Sequence, residues 1–206
     1  FRRVLFRSVG QVSGYSTTSG ASNAALGTGS LYTNSTGNNN TALGVSALYN
    51  NTTASNSTAV GYQAAYSNTT GAGFTALGFR AGYSNTTSNS ITAIGYTALQ
   101  NSTGGGNTAV GESAATLTTT GIYNSVLGVL ALYNNTTGSY NTAMGLQALT
   151  NNTTANANTA VGFQSAYYNT TGTNVDAFGR GALYANTTGS SNVGIGSYAL
   201  NNNTTA

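Results

Sequence analysis

The sequence predicts an all-β fold, a β-solenoid (a parallel β-roll) of about twelve 17-residue coils, and three observations predict it. First, one glycine recurs in phase along the whole chain, at Gly10, Gly27, Gly44, Gly61, Gly78, Gly95, Gly111, Gly128, Gly145, Gly162, Gly179 and Gly196. The intervals are all 17 residues except Gly95 to Gly111, which is 16. A fixed short period means one supersecondary unit stacked on its neighbours. Second, seventeen residues are too few for a helical hairpin repeat of about 34 or a propeller blade of about 40. Third, only 3% of residues are charged and the units are crowded with Gly, Asn and Thr, a poor composition for helix.

The unit Asn158–Asn174, NTAVGFQSAYYNTTGTN, shows the parts. Before each aligned glycine stands a branched or large apolar residue, as at Leu43, Val60, Leu77, Ile94, Val110, Leu127, Met144, Val161, Phe178 and Ile195. Before that is nearly always Ala, as at Ala42, Ala59, Ala76, Ala93, Ala109, Ala143 and Ala160. This is a first strand, TAVG. Three and four residues after the glycine come pairs such as Ala47-Leu48, Ala98-Leu99, Ala131-Leu132 and Ala148-Leu149, read as a second strand, YQALY. Small residues suit the narrow interior of so short a coil, and the glycine lets the backbone bend between the strands. Both parities of Thr41–Tyr49 carry apolar side chains, so a lone coil buries one set and exposes the other. A continuous exposed apolar stripe marks an interface, and we expect a symmetric homo-oligomer.

The rest of the unit is turn. Asn51, Asn68, Asn85, Asn135, Asn152, Asn169 and Asn186 each open an Asn-Thr-Thr run, commonly followed by Gly. Asn and Thr bond local backbone, and Gly supplies positive φ. A second Asn column precedes the first strand at Asn23, Asn40, Asn107, Asn124, Asn141, Asn158 and Asn192. Stacked at about 4.7–4.9 Å, such residues can form side-chain amide ladders.

Composition excludes most chemistry. There is no His or Cys, and the acids Glu112 and Asp176 lie close to four coils apart, so no acid–base pair, nucleophile or metal ligand set is in reach. We expect no enzyme, no cofactor and no resident metal; a ring of three copies of Glu112 or Asp176 around a symmetry axis is the one cation site conceivable. The formal charge of +3 is misleading, because Arg2, Arg3 and Arg7 all fall in the first eight residues. That opening, FRRVLFRS, resembles the translation of a common short-read sequencing adapter, so residues 1–8 are read as a non-native scar of metagenomic origin. Without it, Arg80 and Arg180 balance Glu112 and Asp176, which removes the case for nucleic acid or anionic membrane. No apolar run is long enough to insert directly in a membrane as a helix. Residues 9–206 read as one repeat domain, truncated at both ends, since the first unit is degenerate and the last stops inside a unit.

Three ladders are candidate surfaces. The tyrosines Tyr49, Tyr66, Tyr83, Tyr133, Tyr167 and Tyr184, with Tyr15 and Tyr32, form a column that could stack sugars or pack within or between chains. The Thr columns could match an ice lattice, which makes a monomeric ice-binding solenoid the alternative reading. The Asn-x-Thr triplets are also glycosylation acceptors, though Asn and Thr at this density generate them by chance.

Asn141-Thr142-Ala143-Met144-Gly145 with Ala148, and Asn124-Ser125-Val126-Leu127-Gly128 with Ala131, resemble the YadA-like head repeats of trimeric autotransporter adhesins. The wording NTAVG…AL..NTTG is also similar to phage tail-fibre shaft repeats. The resemblance implies a left-handed β-roll, a homotrimer and an extracellular role at a cell surface (outer membrane-attached) or on a virion tail fibre. It implies attachment to a host-surface receptor, matrix or glycan, or service as a spacer. The unit here is a few residues longer than the adhesin unit, and Thr often stands where that motif has Val.

Overall fold

A computed structural model describes residues 6–205; of the segment read as an adapter scar, residues 1–5 lie outside it. The described chain is a β-solenoid with no helix. Each coil contributes one short strand: β1 (Phe6–Val9), β2 (Asn23–Leu26), β3 (Thr41–Leu43), β4 (Thr58–Val60), β5 (Thr75–Leu77), β6 (Thr92–Ile94), β7 (Thr108–Val110), β8 (Ser125–Leu127), β9 (Thr142–Met144), β10 (Thr159–Val161), β11 (Asp176–Phe178) and β12 (Val193–Ile195). They form one parallel sheet in sequence order. Register is that of the repeat, Thr41 facing Thr58 and Thr58 facing Thr75. At strand spacing the twelve strands span about 50–55 Å. β1 includes Phe6–Ser8, so part of the segment read as foreign pairs with β2.

The expected second strand is not a strand. Two and four residues after the aligned glycine the backbone is left-handed, at Ser46 and Leu48 (φ 57° and 49°), Gln63 and Ala65, Leu130 and Leu132, Gln147 and Leu149. Each such residue costs roughly 1–2 kcal/mol. Hydrogen bonds between coils offset it. The Ser46 N–H donates to Thr28 of the coil before, and the Leu48 and Asn50 N–H groups donate to Ala64 and Tyr66 of the coil after. The folded-back path also breaks the alternation of faces. Ala42, Ala47 and Leu48 are all buried, whereas Leu43, Val45 and Tyr49 face outward.

The aligned glycine is demanded twice over. Gly162 has φ +134°, and a Cβ there would lie 2.6 Å from the carbonyl carbon and oxygen of Gly179. The glycines of successive coils therefore stack backbone on backbone.

The core is thin: an Ala row in the sheet, the Ala-Leu row opposite, and Asn between. Exceptions to the pattern are coupled. Phe74 replaces an Asn of the second column and is buried; Gly82 replaces a Leu of the same coil, where a Cβ would lie 2.5 Å from the Phe74 ring. The 16-residue coil lacks the second Thr of its turn. The Ser102 hydroxyl bonds the Gly104 carbonyl two residues on, where Asn51 and its equivalents bond the carbonyl three residues on.

Candidate functional site

The asparagines opening each turn are interior, not surface, groups. Asn51, Asn68, Asn135, Asn152, Asn169 and Asn186 have no exposed area. Each Nδ2 donates to a carbonyl three residues ahead and to the Oδ1 of the preceding coil's Asn, except that of Asn135, which reaches the Thr118 hydroxyl instead. Asn152 donates to Ala155 (3.1 Å) and to Asn135 (3.0 Å), and Asn186 donates to Asn169 (2.8 Å). This is an amide ladder inside the rod, and burial in it closes these acceptor triplets to a glycan while the coil is folded. The ladder is interrupted by Ser102 and Thr118, which are both buried. Beside the interruption, neither amide atom of Asn85 has a partner. The second Asn column works differently. The Oδ1 of Asn141 accepts the Asn158 N–H at 3.0 Å, and its Nδ2 donates to Ala155, tying strand entry to the neighbouring turn.

The predicted tyrosine surface is a self-stacked column. Tyr15, Tyr32, Tyr49, Tyr66 and Tyr83 stack in series at 4.8–5.3 Å with interplanar angles of 6–13°. Inside such a stack each ring's faces are covered by its neighbours, leaving edges and hydroxyls to solvent. Gln100 and Thr116 end the series, Tyr133 stands apart, and Tyr167 stacks on Tyr184 at 5.4 Å. Burial, with the neighbouring phenols Tyr83, Tyr49 and Tyr62, pushes the Tyr66 hydroxyl above its usual range.

The exposed apolar surface lies elsewhere, in two adjacent columns. One is the residue before the aligned glycine, the other the residue after it. Val45, Tyr62, Phe79, Tyr96, Leu127, Val129, Met144, Leu146, Phe163 and Phe178 are each 37–55% exposed. Together they make a stripe along the rod. Tyr62, Phe79 and Tyr96 stack within it at 5.1–5.4 Å. The column after the glycine belongs to the apolar parity of Thr41–Tyr49 that carries Leu43 and Val45. Two charges interrupt it: Glu112 and Arg180, both exposed. Arg180 lies 4.7 Å from the Tyr198 ring, and Arg80 bonds Gln63 at 2.9 Å beside Phe79 and Tyr83. Asp176 is half-buried on β11. Among the described residues no three acidic or metal-ligating side chains come together.

Thr hydroxyls divide into two classes. Those of the turn, such as Thr52, Thr69, Thr136, Thr153 and Thr170, donate to the next coil's carbonyl at 2.9–3.1 Å. Those on the sheet, Thr41, Thr58, Thr75, Thr92, Thr142 and Thr159, are half-buried. No helix among the described residues is long and apolar enough to cross a membrane. Comparison with known proteins finds no matching family model, no similar curated protein and no similar solved structure.

Proposed function

We propose that the chain is the shaft of a surface adhesin or fibre, a rod that assembles as a homotrimer and holds an attachment site away from a cell or virion. The observation that carries this reading is the apolar stripe, which this chain leaves to solvent along its length. Stripes of this extent on a soluble rod mark an interface, and a closed symmetric assembly of identical chains is the usual way to cover one. The near absence of charge away from the first eight residues suits a spacer and gives no hold for nucleic acid. Light scattering or native mass spectrometry on the chain from Val9 onward tests it. A trimer that dissociates on Leu127→Ser with Val129→Ser supports the reading; a stable, folded monomer overturns it.

A second reading, an ice-binding solenoid, has one observation in its favour: the outward row Thr41, Thr58, Thr75 and Thr92 on a regular parallel sheet. Thermal hysteresis at micromolar protein supports it, and its absence disposes of it.

A further inference from the structure

We propose that the short coil creates a saccharide-binding slot across the rod, with Tyr123 as its stacking wall and unmet backbone amides as its donors. The slot deepens the attachment reading above by naming a site and a ligand class. Its floor is Gly105 and Gly106 of the 16-residue coil. The coil before supplies a polar wall, Asn89 and Ser90, and the coil after supplies Ile122 and Tyr123. The opening measures about 410 Å³, within the range of small-molecule sites. Its walls belong to coils two strand spacings apart, roughly 9–10 Å between backbones. That admits one flat ring and its substituents.

The aromatic wall is built for contact. Tyr123 leans over the floor, since a Cβ at Gly106 would lie 2.5 Å from its ring. Tyr140 supports it from the next coil, with centroids 5.6 Å apart. Both rings remain 59% exposed. Exposed tyrosine faces suit the C–H face of a pyranose, with the hydroxyl at the wet rim.

The polar side has an independent signature. At this position of most coils the N–H group donates to a side-chain oxygen of the coil after; Ser55 and Asn156 are isolated exceptions, and only Asn89 and Gly105 lack the bond in two consecutive coils. Asn38 bonds the Ser55 hydroxyl (3.0 Å), Ala72 the Asn89 Oδ1 (2.8 Å), Ile122 the Ser139 hydroxyl (3.0 Å) and Ser139 the Asn156 Oδ1 (2.7 Å). For Asn89 the coil after offers Gly105, and for Gly105 it offers Ile122, neither with a side-chain oxygen. Neither N–H makes a hydrogen bond among the described residues. Two donors one coil apart thus face the slot without acceptors, joined by the Asn89 Nδ2 and the Ser90 hydroxyl. An uncharged, oxygen-rich ring satisfies donors distributed in this way. A carboxylate has no cation among the slot's residues to pair with.

Gly105 provides the decisive variant. Its φ is not in the left-handed region, and an added Cβ meets its nearest atom at 3.4 Å, so a side chain is admitted. Gly105→Asn installs the acceptor that Asn38, Asn89 and Asn156 carry at the same position, preserving the fold while filling the slot. The probes are methyl α-D-mannopyranoside, methyl β-D-galactopyranoside and methyl N-acetyl-β-D-glucosaminide, followed by saturation-transfer NMR at millimolar ligand. At least one probe should receive saturation on one ring face, with affinity unchanged at high salt. Gly105→Asn and Tyr123→Ala should each weaken it by about tenfold or more, with circular dichroism unaltered, since a tenfold loss corresponds to one well-made contact. No transfer to any of the three, unaltered transfer in Gly105→Asn, or binding abolished by salt overturns the slot. The molecular mass of the same samples reports on assembly separately, so a trimer without sugar binding and a sugar-binding monomer refute different statements.

Discussion

Asn152 and Asn85 occupy the same place in their coils, are equally buried and differ only in their bonds, which makes them a controlled pair. Asn152 donates to Asn135 and Ala155 and accepts from Asn158 and Asn169. Asn85 has no partner at either amide atom. Truncation to Ala leaves a similar void in both cases, so the cavity contribution cancels in the comparison. What remains is four hydrogen bonds at roughly 1 kcal/mol each. One group, the Asn135 Oδ1, then loses its only side-chain donor, whereas Ala155 keeps its bond from Asn141 and Asn158 keeps its bond to Gly172. Asn152→Ala should therefore cost about 3–4 kcal/mol more than Asn85→Ala, a difference of about 10 °C in midpoint for a chain of this length. Asn85→Ala should be close to neutral apart from the void, because its amide is already desolvated without compensation. Urea titrations of the two variants beside the parent, followed by far-ultraviolet dichroism, measure the difference. Equal costs, or a larger cost at Asn85, would refute the claim that the ladder's strength lies in its amide bonds rather than in space filling.

Other perturbations follow from the same geometry. Gly162→Ala combines φ +134° with a Cβ 2.6 Å from the Gly179 carbonyl and should cost more than about 3 kcal/mol, whereas Gly105→Ala should stay within about 1 kcal/mol; matched melting curves decide, and similar losses would contradict the stacking argument. Gly82→Leu alone should clash with Phe74, and adding Phe74→Asn should recover stability by recreating the pairing of Asn40 with Leu48 and of Asn141 with Leu149; a double-mutant cycle should give a coupling of about 1–3 kcal/mol, and additive effects would show that the pair does not share one space. Because burial and neighbouring phenols raise the Tyr66 value above the ordinary 10.0, its stabilising contribution is full below pH 10 and is lost as pH rises through the folded value. Melting temperature should fall on alkaline titration and fall less in Tyr66→Phe; a parent and variant with the same slope would remove Tyr66 from the account.

Much of the fold was legible because each residue of a parallel stack meets its own counterparts above and below. The glycine period, the Ala row and the paired Asn columns follow from that rule and reappear as stacked backbones, a core and ladders. The second strand misled for a physical reason. Gln147 and Leu149 carry no mark of the left-handed region, and strand propensity describes a half-buried pleated surface rather than a chain that folds back on itself. Nothing local to those residues supplies the compensation; it comes from bonds to the coils on either side, which propensity does not count. The tyrosines left two readings open, a ligand strip or packing. Their period was plain, and the stacked column agrees with packing, since a ring between its own copies has its faces covered.

The departures from the period separate by the same reasoning. A substitution in a stacked rod disturbs two interfaces, so one that serves packing needs a second to answer it, as Gly82 answers Phe74. The shortened coil is different in kind. It ends the Tyr series after Tyr83, interrupts the Asn ladder at Ser102 and leaves the amides of two consecutive coils, Asn89 and Gly105, without side-chain acceptors. The costs inside the rod at Asn85 accompany an opening on its surface, and the unmet donors of that opening face outward beside Tyr123. A repeat that stacks identical groups consumes its own hydrogen bonds and ring faces. The groups that such a rod leaves free lie in its uncovered stripe, in its outward Thr row and where the stacking fails, and the assembly and the saccharide slot proposed above draw on these places.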